Sequence, residues 1–167
     1  MDIRLIRPEE CEELARITVS AYRDLHFGQP LGPYEEQLRD VEGRRRDSEV
    51  YVALDEGVLL GGVTFVPDRE RRMSEFHDPD GCGIRMLAVD PALQGRGAGR
   101  ALVERCLRRG AELGRARVIL HSAPAMTLAQ AMYLRMGFVR APGLDEYVEE
   151  GRDGDPPLHL KAFTKEI

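Results

Sequence analysis

Residues 84–107, Ile84-Arg85-Met86-Leu87-Ala88-Val89-Asp90-Pro91-Ala92-Leu93-Gln94-Gly95-Arg96-Gly97-Ala98-Gly99-Arg100-Ala101-Leu102-Val103-Glu104-Arg105-Cys106-Leu107, decide the fold. The run reads as an apolar strand, a proline stop, a glycine-rich turn and an amphipathic helix. Gly95, Gly97 and Gly99 recur at every second position of the turn. Glycine tolerates positive φ and lets other atoms come close to the backbone. A helix that starts behind such a turn presents unpaired N–H groups and the positive end of its dipole. Strand, turn and helix together predict a phosphate or pyrophosphate site. The bare alternative is a glycine turn that joins strand to helix with no ligand.

Two phosphate loops do not fit. A P-loop ends Gly-Lys-Ser/Thr, whereas this one ends Gly99-Arg100-Ala101. A dinucleotide fingerprint needs Gly-x-Gly-x-x-Gly and an acidic residue after the next strand, which here ends near His121 and Ser122. The pattern Gln94-x-x-Gly97-x-Gly99 directly after Met86-Leu87-Ala88-Val89 resembles the coenzyme A pyrophosphate motif of the GCN5-related N-acetyltransferase (GNAT) family. A second stretch, Ala129-Gln130-Ala131-Met132-Tyr133-Leu134-Arg135-Met136-Gly137-Phe138, resembles the other signature of that family, a tyrosine-bearing helix followed by Gly-Phe.

The resemblance implies acetyl transfer from acetyl-CoA, as cosubstrate, to an amine acceptor, with no metal. It implies that the cosubstrate lies along Leu87, Ala88 and Val89. It would then cross Gln94, Gly95, Arg96, Gly97, Ala98, Gly99 and Arg100, and meet Ala129 and Tyr133 on the later helix. The N–H groups of residues 96–100 would cradle the pyrophosphate. The N–H of Val89 would stabilise the oxyanion. Tyr133 would protonate the leaving thiolate; a core tyrosine with a wet hydroxyl is its bland alternative. No covalent intermediate on the enzyme is needed when amine and thioester are held together. An alkylamine is mostly protonated at neutral pH, so a base is required. Glu75 is the first candidate, ahead of His77 and His121. Many family members carry an asparagine seven residues before the tyrosine, and this chain has Met126 there. A bacterial subset shares the Arg-Met-Leu-Ala-Val strand and a Gly-Phe-x-Arg-x-Pro run like residues 137–142.

The chain has 167 residues, 43% hydrophobic and 32% charged, which predicts one soluble domain over residues 1–167. No apolar stretch is long enough to span a membrane. Asp2 and Arg4 interrupt the apolar residues at the start, so no signal-peptide pattern is expected and a cytoplasmic location is. Net charge is −5, which disfavours nucleic acid as a partner. Residues 94–117 carry seven arginines and two glutamates, a local +5, so the remainder carries −10. This reads as a basic patch for a polyanion beside the glycine loop, with acid elsewhere suited to an amine. Cys11, Cys82 and Cys106 show no zinc or disulfide spacing, and His26, His77, His121 and His159 no metal spacing.

Strands are expected at Ile3–Arg7, Val50–Leu54, Val58–Val66, Cys82–Val89, Arg117–Leu120, Phe138–Arg140 and Leu158–Phe163, with a turn at Asp55-Glu56-Gly57. Helices are expected after Pro8, with Leu14, Ile17, Ala21 and Leu25 on one face, and over Tyr34 to Arg46, Gly99–Leu113 and Ala125–Met136. The third carries the stripe Leu102, Val103, Cys106, Leu107 and Ala111. Pro67–Gly81 and Pro142–Pro157 read as loops. In the family the region between the first strand and the second helix forms much of the acceptor pocket, so the resemblance makes Tyr22, Phe27 and Tyr34 candidates for lining it; each reads equally as a core residue. The order β-α-α-β-β-β-α-β-α-β-β is that of the acyl-CoA N-acyltransferase fold: a mixed α/β (α+β) sheet flanked by helices, with its central strand pair splayed. A transferase for a longer acyl group and a non-catalytic acyl-CoA-binding module remain as alternatives, and the chain reads as a monomer or homodimer.

Overall fold

The computed structural model describes residues 1–25, 31–148 and 158–167. Strand β1 (Asp2–Leu5) is followed by a 3-10 turn at Pro8–Glu10 and then α1 (Cys11–Leu25). Glu10 folds back to accept the Arg7 N–H at 2.9 Å, which ends the strand two residues early and sets the helix start. Of the expected face, Leu14, Ile17 and Ala21 are buried and Leu25, at its end, is half-buried.

The second expected helix is two: α2 (Tyr34–Arg39) and α3 (Val41–Asp47). Asp40 breaks it. Its ψ is +60° and its carboxylate accepts the Gly43 N–H at 2.8 Å, capping a new helix. Next come β2 (Glu49–Asp55), β3 (Val58–Val66), β4 (Gly81–Val89), α4 (Ala98–Glu112), β5 (Arg117–Ser122), α5 (Thr127–Arg135), β6 (Val139–Arg140), β7 (Glu146–Val148) and β8 (Leu158–Glu166). Strand β7 corrects the reading of residues 142–157 as loop. Its register Glu146↔Leu160 on β8 is held by Asp145, which accepts from Arg140, His159 and the Ala162 N–H at 2.7–2.8 Å. Three residues are too few to show strand alternation in a sequence. Residues 149–157 of that expected loop lie outside the described residues, as does Phe27.

The sheet runs β1-β2-β3-β4-β5-β8-β6, with β7 also on β8. Only β4 and β5 among its pairs are parallel. They pair from Gly81↔Arg117 to Ile84↔Leu120 and no further, so residues 85–89 of β4 have no strand on that side. This is the splayed pair that the family resemblance implies. Its cause is a bulge. The β3–β4 register slips between Gly62 and Thr64, and Met86 sits at φ +51°, in the left-handed region. The slip also shifts the alternation: Cys82 and Ile84, then Leu87 and Val89, face one apolar cluster, while Met86 faces another.

Helices α4 and α5 cover the first face, where Leu102, Val103 and Cys106 are fully buried and Tyr133 joins them. Ala111 is exposed and Gly110 ends the stripe instead, because Ile167 and Cys82 crowd it. Helices α1, α2 and α3 cover the other face. No helix among the described residues is long and apolar enough to cross a membrane.

Gly61 lets β3 lie against the bulged strand. A Cβ there would fall 2.2 Å from the Ala88 carbonyl oxygen and 2.8 Å from the Val89 Cα, and both are backbone atoms that cannot turn aside. We therefore expect Gly61→Ala to cost about 1–3 kcal/mol of stability, the range for overpacking. Urea unfolding measures it, and an unchanged midpoint would show that the strands part without cost.

Candidate active site

At the end of β4 the Asp90 N–H donates to the Leu60 carbonyl at 2.8 Å, and its carboxylate accepts the Ala92 N–H at 3.0 Å. The chain then turns through Pro91–Leu93 into the glycine loop. Gly95 and Gly97 sit at φ +84° and +82°, a backbone that other residues rarely adopt. A Cβ on either would meet nothing within 4 Å, so it is the backbone turn, and not crowding from the rest of the chain, that calls for glycine there. Gly97 is the N-cap of α4, and the first helical bond runs from the Ala101 N–H to the Gly97 carbonyl at 3.0 Å. The N–H groups of Ala98, Gly99 and Arg100 precede it and have no carbonyl one turn back. No acidic residue occupies that first turn. The cradle fits an anion. Gly99 is helical and belongs to α4, as expected, and a Cβ there would make ordinary contact with Val89 and Met132 at 3.7 and 3.8 Å.

The expected basic patch is largely neutralised. Six of its seven arginines hold carboxylates, among them Arg96 on Asp55, Arg100 on Glu104, Arg109 on Glu49 and Arg117 on Asp78. Most of these partners lie far away in sequence, so a local charge sum does not count them. Arg96 and Arg100 keep more than half of their side chains exposed beside the loop.

Tyr133 lies on α5, in the cluster that also holds α4 residues and Ile84 of β4. Ala129 and Met132 pack against the same cluster. The Tyr133 ring leans on Phe138 and Phe163, with centroids 5.7 and 6.2 Å away. Among the described residues its hydroxyl makes no hydrogen bond. Burial, and then the nearby Cys106, push the phenol well above its ordinary pKa. Gln130 donates to the Ala123 carbonyl at 2.8 Å and to Ser122 at 3.3 Å, tying α5 to the end of β5. Met126, at the family's asparagine position, packs instead into the apolar cluster on the other face.

That other face holds Tyr22, Tyr34, Met73, Phe76, Met86 and Ile119. The Tyr22 and Tyr34 rings lie 6.0 Å apart. Glu75 enters here. Asp47 accepts the N–H groups of Arg72 and Met73 at 3.0 and 3.1 Å and so shapes the loop, while Phe76 packs on Gly83. The Glu75 carboxylate meets Arg85 of β4 at 2.5 Å and lies 3.8 Å from His121 Nδ1 of β5. Burial pushes its carboxyl above the ordinary value, with Arg85 and His121 opposing. His77 is exposed and stands apart from this group.

Two arginines escaped the sequence reading. Arg85 is one, at the strand position just before the bulge. The other is Arg44, which is 2% exposed and donates to Thr64 Oγ1 and to the Leu38 carbonyl, so that it stitches the α2–α3 break to β3. Burial pushes its guanidinium down to about 10. Nothing in the run Arg44-Arg45-Arg46 marks the first as the buried one. Burial also pushes the Cys82 thiol up to about 12, which removes it as a nucleophile at neutral pH. Among the described residues no group of His, Cys, Asp and Glu is placed to hold a metal ion.

A splayed parallel pair, a glycine cradle at a helix start and a tyrosine buried in the cluster beneath α4 and α5 define an acyl-CoA-type transferase fold. Residues 12–138 match the model of the acetyltransferase (GNAT) family, and the chain belongs to that family. It is similar to mycothiol acetyltransferase from Nocardia farcinica, with 31% identity over 139 residues. The match covers 80% of this chain and 43% of that protein, so the chain spans less than half the length of this relative. Among solved structures it resembles ribosomal-protein-alanine N-acetyltransferase from Brucella melitensis, with TM-score 0.73, 20% identity and 100% of both chains covered. It also resembles the yncA protein of Salmonella typhimurium, solved with its cofactor acetyl-CoA, with TM-score 0.71, 20% identity, and 99% and 93% of the two chains covered.

Proposed function

We propose that residues 1–167 act as one acetyl-CoA-dependent N-acetyltransferase domain that acetylates an amine by direct attack in a ternary complex. The observation that carries this reading is the gap itself. The unpaired stretch 85–89 of β4 leads straight into the glycine cradle, and Tyr133 is buried in the cluster alongside. Bound there, acetyl-CoA supplies the activated acetyl group as a thioester. Leu87, Ala88 and Val89 would hold it through main-chain N–H and C=O groups, as a strand edge holds an extended peptide. Gln94 to Arg100 would hold its pyrophosphate. Tyr133 keeps a proton for the leaving sulfur. Glu75, on the opposite face, takes one from the acceptor. The reading carries a cytoplasmic location and a monomer or homodimer.

The test is acetyl-CoA calorimetry followed by turnover on a panel of amines that includes alanine-ended peptides and small-molecule amines. Tight binding with no turnover on any amine would favour a binding or sensing module, and turnover only with longer acyl-CoA a wider acyl pocket. Glu75→Gln removes basicity with little change of shape. Because the base must be ionised and burial raises the Glu75 pKa, wild-type activity should fall on the acid side, above the ordinary carboxylate range. The deficit of the variant should be largest at low pH, where free amine is scarce, and should shrink as pH rises toward the acceptor's own pKa. A variant with the full wild-type pH–rate profile would assign the proton to another group.

A further inference from the structure

His121 is the next-to-last residue of β5; its side chain is 4% exposed and both ring nitrogens have defined surroundings. Nε2 lies 2.8 Å from the Leu144 carbonyl oxygen. A carbonyl only accepts, so Nε2 carries the hydrogen and donates it. In the neutral ring Nδ1 is then bare, and it faces Glu75 Oε2 at 3.8 Å. That is too far for a direct hydrogen bond. A cavity of about 10 Å³, lined by Glu75, Arg85 and His121 among apolar neighbours, lies at this point. It is at the lower limit of the space that one water needs, roughly 10–15 Å³. The other carboxylate oxygen of Glu75 is held by Arg85 at 2.5 Å. The charged groups that act on Glu75 are thus Arg85 from β4, His121 from β5 and Glu146 from β7.

On the acetyltransferase reading above, we propose that His121 is the positioning partner of Glu75, locked by Leu144 with its hydrogen on Nε2, and that the two residues take up the acceptor's proton as one unit. With no proton between them, a carboxylate and a bare ring nitrogen face each other across the small cavity, and uptake of a proton relieves that opposition. The N–H bond of the acceptor ammonium breaks, its electron pair stays on nitrogen, and an O–H bond forms on Glu75. The proton then passes from Glu75 to Nδ1 by way of a water in the cavity between them, giving an imidazolium that returns a proton to bulk water. Arg85 keeps the carboxylate pointed at the pair throughout. The titration seen in turnover belongs to the unit, not to either residue.

His121→Gln keeps a side-chain N–H for the Leu144 carbonyl and removes the bare ring nitrogen that faces Glu75. We expect its melting temperature and acetyl-CoA affinity to stay near wild type. Turnover on the best amine of the panel should fall at least tenfold, short of the roughly 10²–10⁴ of a full acid–base group. The acidic limb of its pH–rate profile should move, because Glu75 then holds the proton alone. A purely structural role lowers the rate without moving the limb, and an unmoved limb would overturn the proposal. Nitrogen-15 spectra of the full chain, with His121 assigned by its loss in His121→Gln, give a readout that needs no acceptor. Hydrogen on Nε2 with Nδ1 bare is expected in the neutral ring, and the opposite tautomer rejects the pairing. If no amine is turned over, the acetyltransferase reading fails and the tautomer alone decides the pairing. If Glu75→Gln is inactive while the limb of His121→Gln is unmoved, the base assignment stands and the pairing falls.

Discussion

Tyr133→Phe is expected to lower turnover by about 10²–10⁴-fold, the range for loss of a general acid, while acetyl-CoA binding and melting temperature hold near wild type. The ring packs against Phe138 and Phe163 through its carbons, and phenylalanine preserves both contacts. The hydroxyl makes no hydrogen bond among the described residues, so its removal breaks none of them. A buried core tyrosine usually finds a partner for its hydroxyl. Burial raises the phenol pKa, which keeps the proton in place at any working pH and ready for a basic leaving group. A tyrosine that served only the core gives the reverse pattern, a lower melting temperature with normal turnover. Melting temperature and turnover number on one Tyr133→Phe preparation separate the two, and near-wild-type turnover rejects the proton-donor role.

Gly99→Glu is expected to weaken acetyl-CoA binding at least tenfold, about 1.4 kcal/mol, in a protein that still folds. The backbone at Gly99 is helical, and a Cβ there makes only ordinary contact with Val89 and Met132, so the substitution is tolerated locally. It sets a carboxylate on the first turn of α4, which carries no acid, against the N–H groups that would receive phosphate. Gly97 is the poorer probe, because its φ of +82° strains any replacement and confounds folding with binding. Calorimetry on Gly99→Glu with its melting curve is the measurement. Unchanged affinity in a folded variant would remove the glycine loop from the cosubstrate site.

The strand, loop and helix of residues 81–112 were legible in the sequence because each signal is local. Apolar strand residues, a proline stop, glycines at alternate positions and a 3.6-residue stripe all act within a few residues. The Gly-Phe ending of α5 is equally local, and two such motifs in the right order were enough for the family. Sequence by itself also placed Tyr133 on its helix.

Only the tertiary structure decided what those elements face. The bulge at Met86 exchanges the faces of β4, and it depends on Gly61 of the neighbouring strand, 25 positions away. The arginines of the glycine loop and α4 look like a free basic patch until the two ends of β2 bring Glu49 and Asp55. Glu75, Arg85 and His121 come from a loop and two strands, and meet because parallel pairing aligns Ile84 with Leu120. Which of three consecutive arginines is buried was settled by the break at Asp40, which turns Arg44 inward onto Thr64. Periodicity reports which face of an element is apolar. The partner across a sheet, and with it the charge and proton affinity of a site, is a non-local property that appears only when the strands pair.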